Sequence, residues 1–132
     1  MAVIENIPGV EVHVTTNDQP LVEYTDPDVA QLPNTTSCFV EAISDQNFEI
    51  QCMLRHDTKF ESDGIKFHVY IDGAWVESLV VPSDYCIAKD YKLLFRGARV
   101  KDSAYSPFYF SDLKFCMSKM STYSIDTLTL CI

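Results

Sequence analysis

Apolar and polar side chains alternate with a period of two along much of this chain, the pattern of strands with one face buried. In "GVEVHVT" (9–15), Val10, Val12 and Val14 point one way while Glu11 and His13 point the other. "NFEIQCML" (47–54) repeats the rhythm, with Phe48, Ile50 and Cys52 set against Glu49 and Gln51. "IKFHVYI" (65–71) does so again, placing Ile65, Phe67, Val69 and Ile71 on one face and Lys66, His68 and Tyr70 on the other. On this reading His13 and His68 face solvent. Asp72-Gly73 supplies two residues that tolerate positive φ, so "AWVESLVV" is predicted to return as the second arm of a hairpin. A second hairpin is predicted where Asp45-Gln46 separates "SCFVEAIS" (37–44) from residues 47–54. After the turn-like Asn17-Asp18-Gln19-Pro20, residues 21–24 form a short strand or an extended arm, and "YKLLFRG" (91–97) and "SPFYFSDLKF" (106–115) are two further strands. No window of helical length carries an apolar stripe at three-and-four spacing. The expected fold is all-β: an antiparallel two-sheet β-sandwich, jelly-roll-like, of seven to nine short strands, with a flattened barrel as the alternative.

A length of 132 residues fits one domain, so residues 1–132 are read as a single β-sandwich, and 47% hydrophobic against 22% charged residues is the balance of a folded soluble chain. Glu5, Asn6 and Pro8 interrupt any apolar leader, and no run approaches a membrane span, which places the protein inside the cell, in cytoplasm or nucleus. Asn34-Thr35-Thr36 then reads as a loop triplet rather than a glycosylation site. Five cysteines, an odd number with no Cys-x-x-Cys pair, do not have zinc spacing. Cys38, Cys52 and Cys116 sit in apolar or aromatic runs and read as small buried hydrophobes.

The net charge of −9 is carried entirely by residues 1–66, with twelve Asp or Glu against three Lys or Arg, and the first 54 residues contain neither Lys nor Arg. Such a half repels phosphate backbones and anionic lipid, which argues against nucleic acid and membrane and toward a protein partner with a basic surface, or self-association. "KDYKLLFRGARVK" (89–101) runs the other way, with Lys89, Lys92, Arg96, Arg99 and Lys101 around Tyr91 and Phe95. Basic residues among aromatics can bind single-stranded nucleic acid. Tyr91 and Phe95 share parity, however, so both are expected to face the core. The stretch reads as a strand with a solvated basic face, or one that pairs with the acidic half within one molecule or between two copies, with Lys92, Arg96 and Arg99 as candidate binding residues.

"EYTDPDVAQLPNTTS" (23–37) gathers Glu23, Asp26 and Asp28 around two prolines. Calcium would want six or more oxygens and a glycine for the sharp turn, and acid–base work would want desolvated carboxylates, whereas this stretch is polar. Proline pushes Asp26 toward an extended conformation, and an aspartate can accept a hydrogen bond from a backbone N–H two residues on. The stretch therefore reads as a bend presenting exposed carboxylates. His13, His56 and His68 lie on different elements outside any nucleophile motif, and no phosphate-cradling glycine loop occurs. No catalytic residue, metal or cofactor is assigned.

Four blocks, "IPGVEVHVTTNDQPLVEYTDPD", "CFVEAISDQNFEI", "GIKFHVYIDGAWVES" and "SPFYFSDLKF", together resemble those of a mainly fungal family of uncharacterised proteins known only as a domain of unknown function. The likeness spans residues 3–115, and its most specific part is the Pro-Gly, strand, Pro-Leu, Glu-Tyr and Asp-Pro-Asp of the first block. That family shows Asn-Gly where this chain has Asn17-Asp18, so a looser turn is expected there. The resemblance implies a β-rich domain ending in a Phe-x-Phe-Ser-x-x-Leu segment, met here by Phe108, Phe110, Ser111 and Leu113, and brings no activity or cofactor. Residues 116–132 depart from it, either adding a last strand through Ile125, Leu128, Leu130 and Ile132 or forming an altered terminus.

These observations favour a non-enzymatic interaction module with an acidic N-terminal half, binding through Glu23, Asp26 and Asp28 or through Lys92, Arg96 and Arg99. The alternative is a small-ligand binder or enzyme whose rim site combines Asp26, Asp28, His56 and Asp57, since sandwich loops cluster at the ends. A concave, partly apolar pocket with converging titratable groups would favour that alternative.

Overall fold

The computed structural model describes residues 2–3, 8–28, 35–56, 58–59, 62–86, 88–101, 104–111 and 130–131, the first and last of these by backbone alone. Among them are β1 (Ala2–Val3), β2 (Val10–Thr16), β3 (Gln19–Pro20), β4 (Glu23–Tyr24), β5 (Phe39–Val40), β6 (Asn47–Leu54), β7 (Gly64–Ile71) and β8 (Ala74–Pro82). A 3-10 turn (Ser83–Cys86) leads on to β9 (Tyr91–Phe95), β10 (Gly97–Lys101), β11 (Ala104–Tyr109) and β12 (Leu130–Cys131). The described residues are all-β with no α-helix, and so none long and apolar enough to cross a membrane.

β6 is the centre of a seven-stranded antiparallel sheet. One of its sides pairs with β2, from Val10↔Leu54 to Thr15↔Glu49. The other side is shared by β9, from Ile50↔Phe95 to Leu54↔Tyr91, and by β11 through Phe108↔Phe48. β10 pairs with the far side of β11, and the chain passes from β9 to β10 at Gly97, where a Cβ would run into the Ser106 carbonyl. The second sheet has the order β12-β7-β8, and β4 and β5 make a separate two-stranded ribbon.

In-register partners project to one face, so Val10, Val12 and Val14 lie beside Leu54, Cys52 and Ile50, as the alternation predicts. One buried cluster joins this face, with Phe48, Phe95 and Phe108, to Phe67, Val69 and Val81 of the second sheet and Cys86 of the turn. Ile50, Cys52, Leu54 and Phe67 are wholly buried, and each large apolar side chain so placed contributes about 1.5–3 kcal/mol. An exposed ion pair contributes about 0–1 kcal/mol, so the β6 ladder rather than surface charge holds the fold.

The Asp72-Gly73 turn forms as predicted, with φ of 52° and 75° between Ile71 and Ala74. Asn17 and Asp18 also take positive φ, 50° and 61°, directly between the paired Thr16 and Gln19. The turn expected to be looser is therefore a tight one, because aspartate tolerates the left-handed region well enough to stand in for glycine.

The hairpin expected at Asp45-Gln46 does not form. Phe110 occupies that backbone instead: its carbonyl accepts from Asp45 N–H at 2.8 Å and its N–H donates to the Gln46 carbonyl at 3.0 Å. Its ring stacks on Phe48 at 4.4 Å, an aromatic contact that adds to the backbone pairing. β5 pairs instead with β4, through Glu23↔Val40 and Tyr24↔Phe39. β11 ends at Tyr109, and Leu113 lies outside the described residues. At the C-terminus, Leu130 and Cys131 pair with Val69 and His68, while Cys116, Ile125, Leu128 and Ile132 lie outside the described residues.

Candidate functional site

Register on the large sheet determines what its outer face carries. Glu11, His13 and Thr15 of β2 sit beside Met53, Gln51 and Glu49, opposite in direction to the core valines. This face is not bare: Thr15 is 1% exposed, and His13 Nδ1 lies 3.2 Å from Glu23 Oε1. After β3 the chain holds β2 once more through Leu21 N–H to the Val14 carbonyl, 2.8 Å, and then brings Glu23 over the sheet. His13 and Glu23 side chains are only 17% and 10% exposed, which corrects the expectation that His13 faces water and that Glu23 is a free carboxylate of a bend. Alternation assigns a side to His13 correctly, but it cannot reveal that a later segment covers that side.

The same carboxylate acts on Cys38, the residue before β5. Burial pushes the Cys38 thiol up, and the Glu23 charge and a hydrogen bond to it add to the shift. Negative charge beside a half-buried thiol disfavours thiolate, so this Cys, Glu and His grouping lacks an activated nucleophile. Cys52 is pushed up to about 12 by burial and behaves as the small buried hydrophobe expected from its run, and Cys86, in the 3-10 turn, is also buried and raised, chiefly by burial.

With Glu23 drawn inward, its neighbours point outward. Tyr24 and Phe39 are directly paired across β4 and β5, and they are 54% and 43% exposed, with Val22 and Ile43 also exposed. Exposed Asp26, Asp28, Glu41 and Asp45 lie along the same two segments. Asp28 N–H donates to Asp26 Oδ1 at 2.9 Å, the local turn predicted for Asp-Pro-Asp. The result is an aromatic ribbon among carboxylates, in a part of the chain without Lys or Arg.

The basic strand disperses its charge. Lys92 is exposed beside Met53, and Arg96 Nε lies 3.3 Å from Glu49 Oε1 on the neighbouring strand. Arg99 rests 5.9 Å over the Tyr105 ring and reaches its hydroxyl at 3.4 Å. Phe95 is buried, and Tyr91 packs on the core and stacks on Tyr85 at 5.6 Å, so neither ring stands free beside the cations. Pairing of Arg96 with acid therefore occurs within the molecule.

A polar network absent from the sequence reading closes one end of the large sheet. Arg55 grips Glu11 with two hydrogen bonds of 2.8 Å, from Nε and Nη2, and donates to Asp90 Oδ2 at 2.9 Å from Nη1. Asp90 Oδ1 accepts from His56 N–H at 2.9 Å and lies 3.2 Å from its Nδ1. The His56 N–H, then Arg55, hold the Asp90 carboxyl down at about 2, and its two carboxylate partners raise the Arg55 guanidinium further. Sheet register makes the contact: Met53, two residues before Arg55, pairs with both Glu11 and Lys92, and Lys92 is two residues past Asp90. The available cue was that Arg55 is the first cation after 54 residues without one.

Of the residues expected at a rim site, His56 is engaged by Asp90, and Asp26 accepts from the Asp28 N–H within its own turn. Asp57 lies outside the described residues. Among the described residues no three His, Cys, Asp or Glu are placed to hold a metal ion. A cleft of about 410 Å³ does open elsewhere, between β8 and the β9 and β11 strands, lined in part by Glu77, Leu79, Leu93 and Tyr105.

Comparison with known families gives one match: the model of a domain of unknown function, DUF7918, covers residues 9–128. The chain belongs to the DUF7918 family. The DUF7918 match runs past Phe115 and takes in most of the segment that departs from the resembling blocks, so residues 116–128 are part of the family's domain. No curated protein and no solved structure matches the chain.

Proposed function

We propose that this DUF7918 domain is a non-enzymatic protein-interaction module, a two-sheet β-sandwich that binds a basic segment of a partner through the β4–β5 ribbon. The sandwich reading is supported by the single core that draws on both sheets. The binding reading is carried by one observation: Tyr24 and Phe39 stand exposed as a cross-strand pair among Asp26, Asp28, Glu41 and Asp45. Aromatic rings at low entropy cost make good anchors, and surrounding carboxylates favour Lys and Arg on the partner.

The test uses a synthetic peptide of alternating Lys and Leu, with a Glu and Leu peptide as control. Binding of the Lys peptide should weaken at least tenfold between low and high salt, and Tyr24→Ser with Phe39→Ser should abolish it. Equal affinity for the Glu peptide, or affinity indifferent to salt, overturns the reading. Sedimentation of the free protein separates self-association: a dimer lost on the Tyr24→Ser and Phe39→Ser changes would assign the ribbon to a second copy instead.

A further inference from the structure

β8 is the outermost strand of its sheet, and its register with β7 sets which side chains face the interior. Leu79 pairs with Phe67 and Glu77 with Val69, and both β7 residues belong to the buried core. Glu77 and Leu79 therefore project to the inner face of the second sheet, toward the large sheet. There they meet the open cleft, with Leu93 and Phe95 of β9 and Pro107 of β11 on the opposite wall. Leu79 is on the inner face yet 36% exposed, where it lines the open cleft.

The charges around the cleft are unevenly matched. Arg96, on its wall, is turned to Glu49 at 3.3 Å, and the Tyr105 hydroxyl takes Arg99 at 3.4 Å. The Glu77 carboxylate, only half-buried, makes no side-chain hydrogen bond or ion pair to the described residues. An inward-pointing charge on an edge strand can serve simply to discourage pairing with another chain. That role requires no concavity and no apolar wall, and both are present here.

We propose that the cleft between β8 and β9 binds an alkylammonium group, its cation on the Glu77 carboxylate and its alkyl stem along Leu79, Leu93 and Pro107. A charge-assisted hydrogen bond in a partly dry cleft favours the cation, and the apolar walls favour the chain behind it. A free amine and a lysine side chain share this chemistry. The site is separate from the β4–β5 ribbon, and neither proposal depends on the other.

The test is titration of the ¹⁵N-labelled full chain with hexylammonium, with hexanoate and hexanol as charge controls and a capped lysine to separate the two sources. Hexylammonium should give saturable shifts at residues 77–79, 93–96 and 105–107. Glu77→Gln, which keeps shape and fold, should weaken it about tenfold or more. Capped lysine binding as well as hexylammonium identifies a partner's side chain as the ligand, and hexylammonium alone a free amine. Hexanoate binding equally well, unchanged affinity in Glu77→Gln, or no saturable shifts in the cleft each overturn the proposal.

Discussion

His13 on the outer face of the large sheet and Glu23 at the start of the ribbon meet at 3.2 Å, with both side chains largely buried. Loss of His13 takes one of its partners from the largely buried Glu23 carboxylate, which keeps its hydrogen bond with Cys38, at a cost of about 1–3 kcal/mol. His13→Ala should therefore loosen the ribbon locally: amide exchange at residues 22–24 and 39–40 should accelerate by roughly tenfold or more. The β6 amides should keep their protection. Unchanged exchange in the ribbon would show that this pair does not fasten it.

Acid should act through Asp90. Its carboxyl is held down at about 2 in the folded protein, by the His56 N–H first and Arg55 second, against an ordinary value of 3.8. A depressed folded value gives stability that is complete above the unfolded value and is lost as pH falls through the folded one. Between pH 5 and pH 2 the wild type should thus lose stability more steeply than Asp90→Asn, with the two curves converging at the acid end. Parallel curves in urea titrations across that window would contradict the network.

Thiol chemistry gives a third outcome. Cys52 is pushed up to about 12 and Cys38 and Cys86 are also raised, so peptides carrying these three should resist iodoacetamide at pH 8 in the native state. Labelling should become fast in denaturant, as read by mass mapping. Rapid native alkylation of Cys38 would show that Glu23 does not suppress its thiolate.

Core and surface should separate by size of effect. Leu54→Ala removes a wholly buried side chain from the central strand and should cost about 2–5 kcal/mol in urea unfolding. Arg96→Ala removes one member of an exposed pair and should leave the midpoint nearly unchanged. Equal losses would move the weight of the fold from its core to its charges.

What the sequence revealed was local. The two-residue rhythm in β2, β6 and β7 fixes their inner faces, and Asp72-Gly73 fixes one hairpin, because both depend on neighbours in the chain. The Asp26 turn is legible for the same reason. Glu23 reads equally well as part of a wet bend because its polarity suits one, and only the contacts of Leu21 and Glu23 with β2 show it inside. The Asp45-Gln46 hairpin failed for a like reason: Phe110, more than sixty positions away in sequence, competes for that backbone. Arg55, Glu11 and Asp90 are brought together by sheet register alone, which no short-range pattern encodes.

Chemical-shift mapping of the Lys and Leu peptide on the ¹⁵N-labelled chain at low salt tests the central claim most directly. Shifts confined to residues 22–28 and 36–45, and lost on Phe39→Ser, are the predicted result. Shifts centred on residues 89–101, or none at peptide concentrations that saturate binding, would contradict it.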